Sequence, residues 1–484
     1  MNQSWAFEIF APDGWLNKAL TTVGDALWTY LLMGVLVACG LYFTWRTRFA
    51  QFVMLGEMVR LLGDSAGGTR GERRVSSFQA FAVSVATRVG TGNLVGVATA
   101  IAVGGPGAVF WMWVIALLGG ATAFVESTLA QLYKRRDGQS FVGGPAYYIL
   151  HGLHCRWMAV LFAVLITLTF GLSYNSIQAN TICDAMHNTF GIDPVFTGAA
   201  LAALGLVIVF GGIHRIARVS SVLVPLMAIG YFVLALVIVL MNISLIPQVL
   251  KEIVQSAFGV GPFAGGAIGM TMMMGIKRGL FSNEAGEGSA PNVAATAHVT
   301  HPVKQGLIQA LGVYTDTLIV CSCTAFIILI SGLHNDGGPG GIVLTQAAMH
   351  AHVGSLGKVF VAVAIFLFAF SSILGNYYYG EANVLLLTHR RWVLTVYRIF
   401  SVGVLVMFGA LASLEVVWSL GDLCMALLTA CNLVAIVALG RYAFFLLDDY
   451  RRQKRAGIAE PRFTASQLPL LAPDLDAWGD NCDK

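Results

Sequence analysis

The stretch "KRGLFSNEAGEGSAP" (277–291) sets Lys277, Arg278, Glu284 and Glu287 among glycines and a proline, directly after the apolar run "GPFAGGAIGMTMMMG". A second stretch, "TRVGTGN" (87–93), sets Arg88 beside Gly90, Gly92 and Asn93 inside another apolar run. Glycine and proline interrupt α-helices. An interrupted helix presents free N–H groups on one piece and free C=O groups on the other. The N–H ends suit a carboxylate, and the carbonyl ends suit an ammonium group or a hard cation such as Na⁺. The chemistry on offer is the holding of a zwitterion and a small cation, with no covalent step.

The elements that carry these residues follow from composition. The chain has 484 residues, 57% of them hydrophobic and 11% charged, with a mean hydropathy of +0.74. That charge is less than half the usual globular share of about 25%. Runs such as "WTYLLMGVLVACGLYFTW" (28–45) and "VSSVLVPLMAIGYFVLALVIVLM" (219–241) reach the ~20 residues needed to cross a bilayer. These features describe an all-α polytopic membrane protein. The net charge of +4 comes from basic loops and gives no patch that could track nucleic acid. The cysteines at 39, 183, 321, 323, 424 and 431 sit in or beside apolar spans, and Cys321–Cys323 is C-x-C without a second pair. They suit small buried hydrophobes better than a metal site or a disulfide framework. The N-terminal "MNQSWAFEIFAPDGWLNKAL" lacks a basic start and does not resemble a signal peptide. The first span is therefore expected to stay as a helix.

Apolar runs with flanking glycine, proline and charge predict eleven spans, near 25–45, 78–101, 107–131, 157–180, 196–212, 218–241, 261–299, 306–332, 355–378, 392–412 and 418–447. Every second loop is basic. Arg46, Arg48, Arg60, Arg70, Arg73 and Arg74 lie in the first, Lys134, Arg135, Arg136 and Arg156 in the third, and Arg390 and Arg391 in a later one. The alternate loops 181–195 and 333–354 contain no Lys or Arg. This positive-inside pattern places the N-terminus outside and the C-terminus in the cytoplasm. The expected organisation is residues 1–77 as an N-terminal segment with an extra helix and a basic loop, 78–260 and 261–450 as two five-helix halves, and 451–484 as a flexible polar cytoplasmic tail.

The second and seventh spans break their own pattern, the seventh around Gly275–Gly288. Without the first span they open two five-helix halves. Interrupted helices at corresponding positions are the sequence pointer to a secondary-transporter binding site near the membrane midplane. Glycines in one span are more simply explained by close helix packing; two charged breaks at matching positions favour function. "GTGNLVG" has the wrong spacing and setting for a dinucleotide fingerprint.

The motifs "VGTGNLVGVATAIAVGGPGAVFWMWVIALLG" (89–119), "FVGGPAYYI" (141–149), "GIKRGLFSNEAGEGSAPNVAATA" (275–297), "HPVKQGL" (301–307), "DTLIVCSCTAFIIL" (316–329) and "SSILGNYYYGE" (371–381) closely resemble, in order, the bacterial alanine/glycine:cation symporter family, also called sodium:alanine symporters. The resemblance runs from about residue 20 to 450. It implies a leucine-transporter-like fold, an inverted five-plus-five repeat with one extra N-terminal helix. It also implies Na⁺-driven, in some members H⁺-driven, uptake of small neutral amino acids across the bacterial inner membrane, with no cofactor beyond the coupling ion.

"VGTGN" also resembles the first broken helix of neurotransmitter:sodium symporters. By that resemblance the amides of Thr91 and Gly92 meet the substrate carboxylate, with Asn93 beside them and Gly275, Phe281 and Ser282 contributed by the seventh span. Sodium is expected among the carbonyls of Ala86 and Val89 and the hydroxyls of Ser371 and Ser372. Gln178, in "SYNSIQANTI", occupies a family position that contacts substrate. Ser371 and Ser372 could equally bond back to a carbonyl four residues earlier, and Gln178 could serve as an interhelical hydrogen bond.

Arg88, Lys277, Arg278, Glu284 and Glu287 form a charge cluster at the breaks, expected to hold them open by mutual pairing. Glu284 belongs to the family motif. Glu287 departs from it, since that position is usually apolar, and is expected to face cytoplasmic water. Tyr377, Tyr378 and Tyr379 suit a gate or an interfacial anchor. Asp316 and Asp422 receive no role. A channel would call for a repeated pore-lining ring. An enzyme would call for a motif such as H-E-x-x-H or G-x-S-x-G, and neither occurs. Broader specificity, including serine or glutamine, stays open, as does the oligomeric state.

Overall fold

Lipid offers backbone groups no partner, so an apolar chain must satisfy them within helices. The computed structural model is helical nearly throughout and describes residues 14–63, 75–137, 140–259, 268–336, 340–468 and 475–479. In chain order the helices used below are α1 (Trp15–Arg46), α2 (Leu55–Leu62), α3 (Ser77–Arg88), α4 (Gly92–Gly104), α5 (Ala108–Leu132), α6 (Arg156–Phe190), α7 (Pro194–Val209), α8 (Gly212–Met241), α9 (Ile246–Ala257) and α10 (Ile268–Asn283). They continue with α11 (Ala290–Ala294), α12 (Pro302–Ser331), α13 (Gly341–Val353), α14 (Ser355–Leu387), α15 (Arg391–Leu411) and α16 (Leu414–Arg455). A short antiparallel hairpin, β1 (Arg135–Asp137) with β2 (Ser140–Val142), follows α5.

Among the described residues eight helices are long and apolar enough to cross a membrane, and α3 with α4 makes a ninth span bent by 46°. The expected fifth and seventh spans are present as α7 and α10, each of 16 residues, shorter than a lone crossing requires. Residues 261–267, expected to begin the seventh span, and Arg70, Arg73 and Arg74 of the first basic loop lie outside the described residues.

Helix α5 is central, packing on α10 and α12, while α14 packs on α3 and α6. Helix α1 lies against α5 and α16. The start of α3 is fixed by a capping box: Ser76 Oγ accepts from the Gln79 amide (3.1 Å) and Gln79 Oε1 accepts from the Ser76 amide (3.0 Å). The His298 amide donates to the Val75 carbonyl (3.1 Å), tying this cap to the chain after α11.

Three expectations are corrected here. The seventh span does not break at Gly275: α10 continues to Asn283, and a Cβ at Gly275 would lie 2.4 Å from the Ala108 carbonyl oxygen and 2.6 Å from Trp111 Cβ. That glycine serves close approach to α5. The described part of the tail folds back on the bundle, with Phe463 and Trp478 buried. The Phe463 amide donates to Thr300 O (2.9 Å) and Trp478 Nε1 to Gln131 O (2.9 Å). Finally, Tyr377, Tyr378 and Tyr379 are all buried, so none anchors an interface.

Candidate functional site

Helix α3 ends at Arg88, and the next residues leave the helical path. The Gly90 amide donates to Asn93 Oδ1 (2.8 Å), and the Thr91 amide and hydroxyl both donate to Gln178 Oε1 (3.0 and 2.6 Å). Side chains are excluded at both glycines. A Cβ on Gly90 would stand 2.4 Å from Ser372 Oγ, and one on Gly92 would stand 2.9 Å from Ser282 Cα and 3.2 Å from Phe281 Cδ1. The first break therefore presses directly against the last turn of α10.

Between them lies a carboxylate to which sequence reasoning gave no role. Asp316, fully buried in a π-helical stretch of α12, accepts from Asn93 Nδ2 (2.7 Å), Ser282 Oγ (2.7 Å) and Thr317 Oγ1 (2.9 Å). Cys321, one turn on, brings its sulfur to 3.1 Å from Ser282 Oγ and 3.3 Å from Asn93 Nδ2. This thiol belongs to the site and is more than a small core hydrophobe. An aromatic wall completes the neighbourhood, with the Phe281 ring 4.8 Å from Tyr174 and 4.6 Å from Trp418. Thr91, Gly92, Asn93, Gln178, Phe281 and Ser282 are thus brought together. Gly275 is not; it sits about two turns back along α10 against Ala108 and Trp111.

A group of oxygens lies on the other side of Gly90. Ser372 Oγ donates to the Ala86 carbonyl at 2.8 Å and Ser371 Oγ at 3.4 Å, while both also donate to Phe368 O (3.0 and 2.8 Å). Back-bonding and the link to α3 therefore coexist. Val89 is buried at the end of α3, three residues beyond Ala86. One turn along α14 from Ser372, Asn376 is buried with neither side-chain polar atom hydrogen-bonded.

The charges divide differently from the expected cluster. Because α10 stays helical to Asn283, Lys277 and Arg278 lie about 10 Å up the axis from Glu284 at ~1.5 Å per residue. They pair with acids from elsewhere: Lys277 Nζ is 2.8 Å from Asp422 and 3.1 Å from Asp25, and Arg278 holds Asp422 in a two-pronged bond (2.9 and 3.0 Å) while stacking over Trp418. The second break itself is Glu284–Ser289, a turn with left-handed backbone at Glu284, Gly286 and Gly288 (φ 57, 94 and 80). Glu284 accepts from Ser289 Oγ (2.6 Å). The Gly286 amide donates to Glu126 Oε1 (3.2 Å), and Asn432 Nδ2 donates to Glu126 Oε2 and to Gly286 O (both 2.9 Å).

Glu287 does not face water. The glycine turn folds it inward until it is fully buried, with Tyr174 OH 3.3 Å from its carboxylate. Arg88 bonds the Gln309 carbonyl through Nη1 (3.2 Å), leaving Nε and Nη2 without hydrogen bonds. Among the described residues it forms no close ion pair, and Glu126, Glu284, Glu287 and Asp316 all lie within its field. Four buried carboxylates share one guanidinium. Glu126 and Asp422 had a legible signal, an acid inside an apolar span; their partners did not.

The sequence matches proteins whose names agree with this arrangement. It is 51% identical over 442 residues to the probable sodium/glutamine symporter GlnT of Bacillus subtilis, covering 91% of this chain and 92% of that protein. It is 48% identical over 469 residues to the amino-acid carrier protein AlsT of the same organism, covering 97% and 99%. It is 36% identical over 431 residues to the sodium/alanine symporter AgcS of Methanococcus maripaludis, covering 87% and 94%. The family model described as the sodium:alanine symporter family matches residues 13–465. With the first break pressed against the last turn of α10 and most of its length matched, the chain belongs to the sodium:alanine symporter family.

Proposed function

We propose that this protein couples inward movement of Na⁺ to uptake of a small neutral amino acid, alanine or glycine, by alternating access around the contact between its first break and the last turn of α10. The observation that carries this reading is the approach of Gly92 to Phe281 and Ser282, with Asp316 joining Asn93 to Ser282. The amides of the first break suit the substrate carboxylate once Gln178 Oε1, which accepts from Thr91, is displaced, and the aromatic wall limits the side chain. Ala86, Val89, Ser371 and Ser372 supply the hard oxygens that suit Na⁺. In this reading α7 and α10 complete eleven spans. Residues 78–260 and 261–450 form the two inverted halves, the N-terminus lies outside, and the C-terminus lies in the cytoplasm of a bacterial cell.

The test is uptake of labelled alanine into proteoliposomes with and without an inward Na⁺ gradient. Stimulation by the gradient is the expected result, and its absence at every pH removes the sodium reading. Unlabelled alanine, glycine, serine and glutamine as competitors rank the substrates. Glutamine belongs in that panel because GlnT is named for it. Cys321 gives an independent readout: alanine with Na⁺ should slow its modification by a maleimide more than either alone.

A second reading, H⁺ coupling, is favoured by the four carboxylates around Arg88, since acids in excess of bases can carry protons. An inward pH gradient without Na⁺ then drives uptake, and Glu287→Gln flattens its pH dependence.

A further inference from the structure

Where α16 leaves its apolar stretch at Leu447, a cavity of about 480 Å³ opens between its end and the turn after α1. The turn contributes Arg48, held with Phe49 in left-handed backbone (φ 52 and 56). Helix α16 contributes Phe445, Asp448, Asp449, Arg451, Arg452 and Arg455. The charges do not cancel. Asp449 is occupied by Arg452, by Gln453 (2.6 Å) and by His301 (3.3 Å). Asp448 remains against Arg48, Arg451 and Arg455. Among the described residues none of these three guanidinium groups makes a hydrogen bond or a close ion pair, and Arg451 feels Asp448 together with the repulsive field of the other two arginines.

The wall is also ordered by polarity. Phe445, 41% exposed, stands on the apolar side, followed along the helix by Asp448, Arg451 and Arg455. These span about 15 Å at ~1.5 Å per residue. Trp45 and Phe52, both exposed, flank the turn as aromatic residues do at a membrane–water boundary. A ligand that matches this sequence of surfaces is apolar at one end and anionic at the other.

We propose that this cavity binds the phosphate-bearing headgroup of an anionic phospholipid. Arg48, Arg451 and Arg455 surround the phosphate, as guanidinium groups favour, and Phe445 lies beside the upper acyl chain. A soluble phosphate compound shares the anionic chemistry but leaves Phe445 without a partner.

The test is native mass spectrometry of the full chain released from detergent in the presence of phosphatidylglycerol or phosphatidylcholine. Phosphatidylglycerol is expected to be retained in preference by roughly thirtyfold, the scale of two basic residues at an anionic surface. Millimolar inorganic phosphate should leave the adduct intact. Arg451→Gln with Arg455→Gln should abolish the preference, while the corresponding Lys pair should keep part of it. If the Gln pair does not fold, as judged by thermal unfolding, Arg48→Gln alone should weaken it. Equal retention of both lipids, displacement by inorganic phosphate, or unchanged preference in the folded Gln variants would overturn the proposal.

Discussion

Two groups of buried charge flank the same helix, and they are built on opposite principles. At one end of the contact, Lys277 and Arg278 meet Asp25 and Asp422, two cations against two anions, in three residue pairs with contacts between 2.8 and 3.1 Å. At the other, Glu126, Glu284, Glu287 and Asp316 answer to Arg88, and their hydrogen bonds come mostly from neutral donors. A balanced cluster, here buried apart from the half-exposed Asp25, is a fastener: it pins α10 to α1 and α16. An unbalanced one calls for further positive charge, which a transported cation or a bound proton can bring. The charged stretch 277–291 therefore contains two devices separated by the last turn of α10.

The strongest way to break this contrast is to remove the shared anion of the fastener. Asp422→Ala leaves Lys277 and Arg278 buried beside each other and should cost about 3–5 kcal/mol of stability, seen as a large fall in the thermal unfolding temperature in detergent. Replacing Lys277, Arg278 and Asp422 together with apolar residues should recover most of that loss. At the unbalanced end, Asp316→Asn should leave the unfolding temperature within a few degrees. It should slow uptake roughly 100-fold, the worth of about two hydrogen bonds to a charged group. Uptake that survives Asp316→Asn would mean the acid excess is not used.

A smaller effect separates the two serines. Ser372, at 2.8 Å from the Ala86 carbonyl against 3.4 Å for Ser371, should matter more. Ser372→Ala is expected to raise the half-saturating Na⁺ concentration about tenfold, equivalent to ~1.4 kcal/mol, and Ser371→Ala less. Equal shifts, or loss of folding in both, would favour back-bonding to Phe368 as their role.

The smallest effect comes from a charge group at the edge of the protein. Glu57 on α2 is held by Arg60, by the Tyr450 hydroxyl (2.5 Å) and by Lys454 (3.2 Å), and its carboxyl is lowered to about 2 chiefly by the Arg60 hydrogen bond. A lowered pKa stabilises the fold above the ordinary carboxylate range near 4.3, and that contribution disappears as pH falls toward about 2. Glu57→Gln should lower the unfolding temperature slightly at pH 7, and the difference should close as the pH falls from about 4.3 to 2. A difference that persists at pH 2 would assign Glu57 a packing role.

Much of this was legible because membrane insertion writes itself into composition. Nine of the expected spans appear among the described residues, eight as helices long enough to cross and one as the bent pair α3–α4, and "VGTGN" meets "LFSN" as two of the motifs singled out in the sequence. Three things were not legible. The second break falls at Glu284–Ser289 while Gly275 is spent on contact with Ala108, and one glycine looks like another in sequence. The partners of Lys277 and Arg278 lie 144 to 252 residues away in the chain, a distance no local pattern spans. Glu287 was expected in water because it follows the break; only the inward fold of Gly286–Gly288 shows that it is buried.

The bond from Gln178 to Thr91 has one more consequence. A carboxylate that takes the Thr91 amide must first evict an oxygen that is tethered to the protein and therefore never diluted. If the substrate carboxylate takes this amide as proposed, only molecules with Gln178 swung aside are competent to bind, and the apparent affinity is weaker than the intrinsic one by that fraction. The same tether keeps the amide and hydroxyl satisfied when nothing is bound. An idle carrier is thereby spared a bare polar hole in its centre, and the glutamine serves as a resident understudy for its passenger.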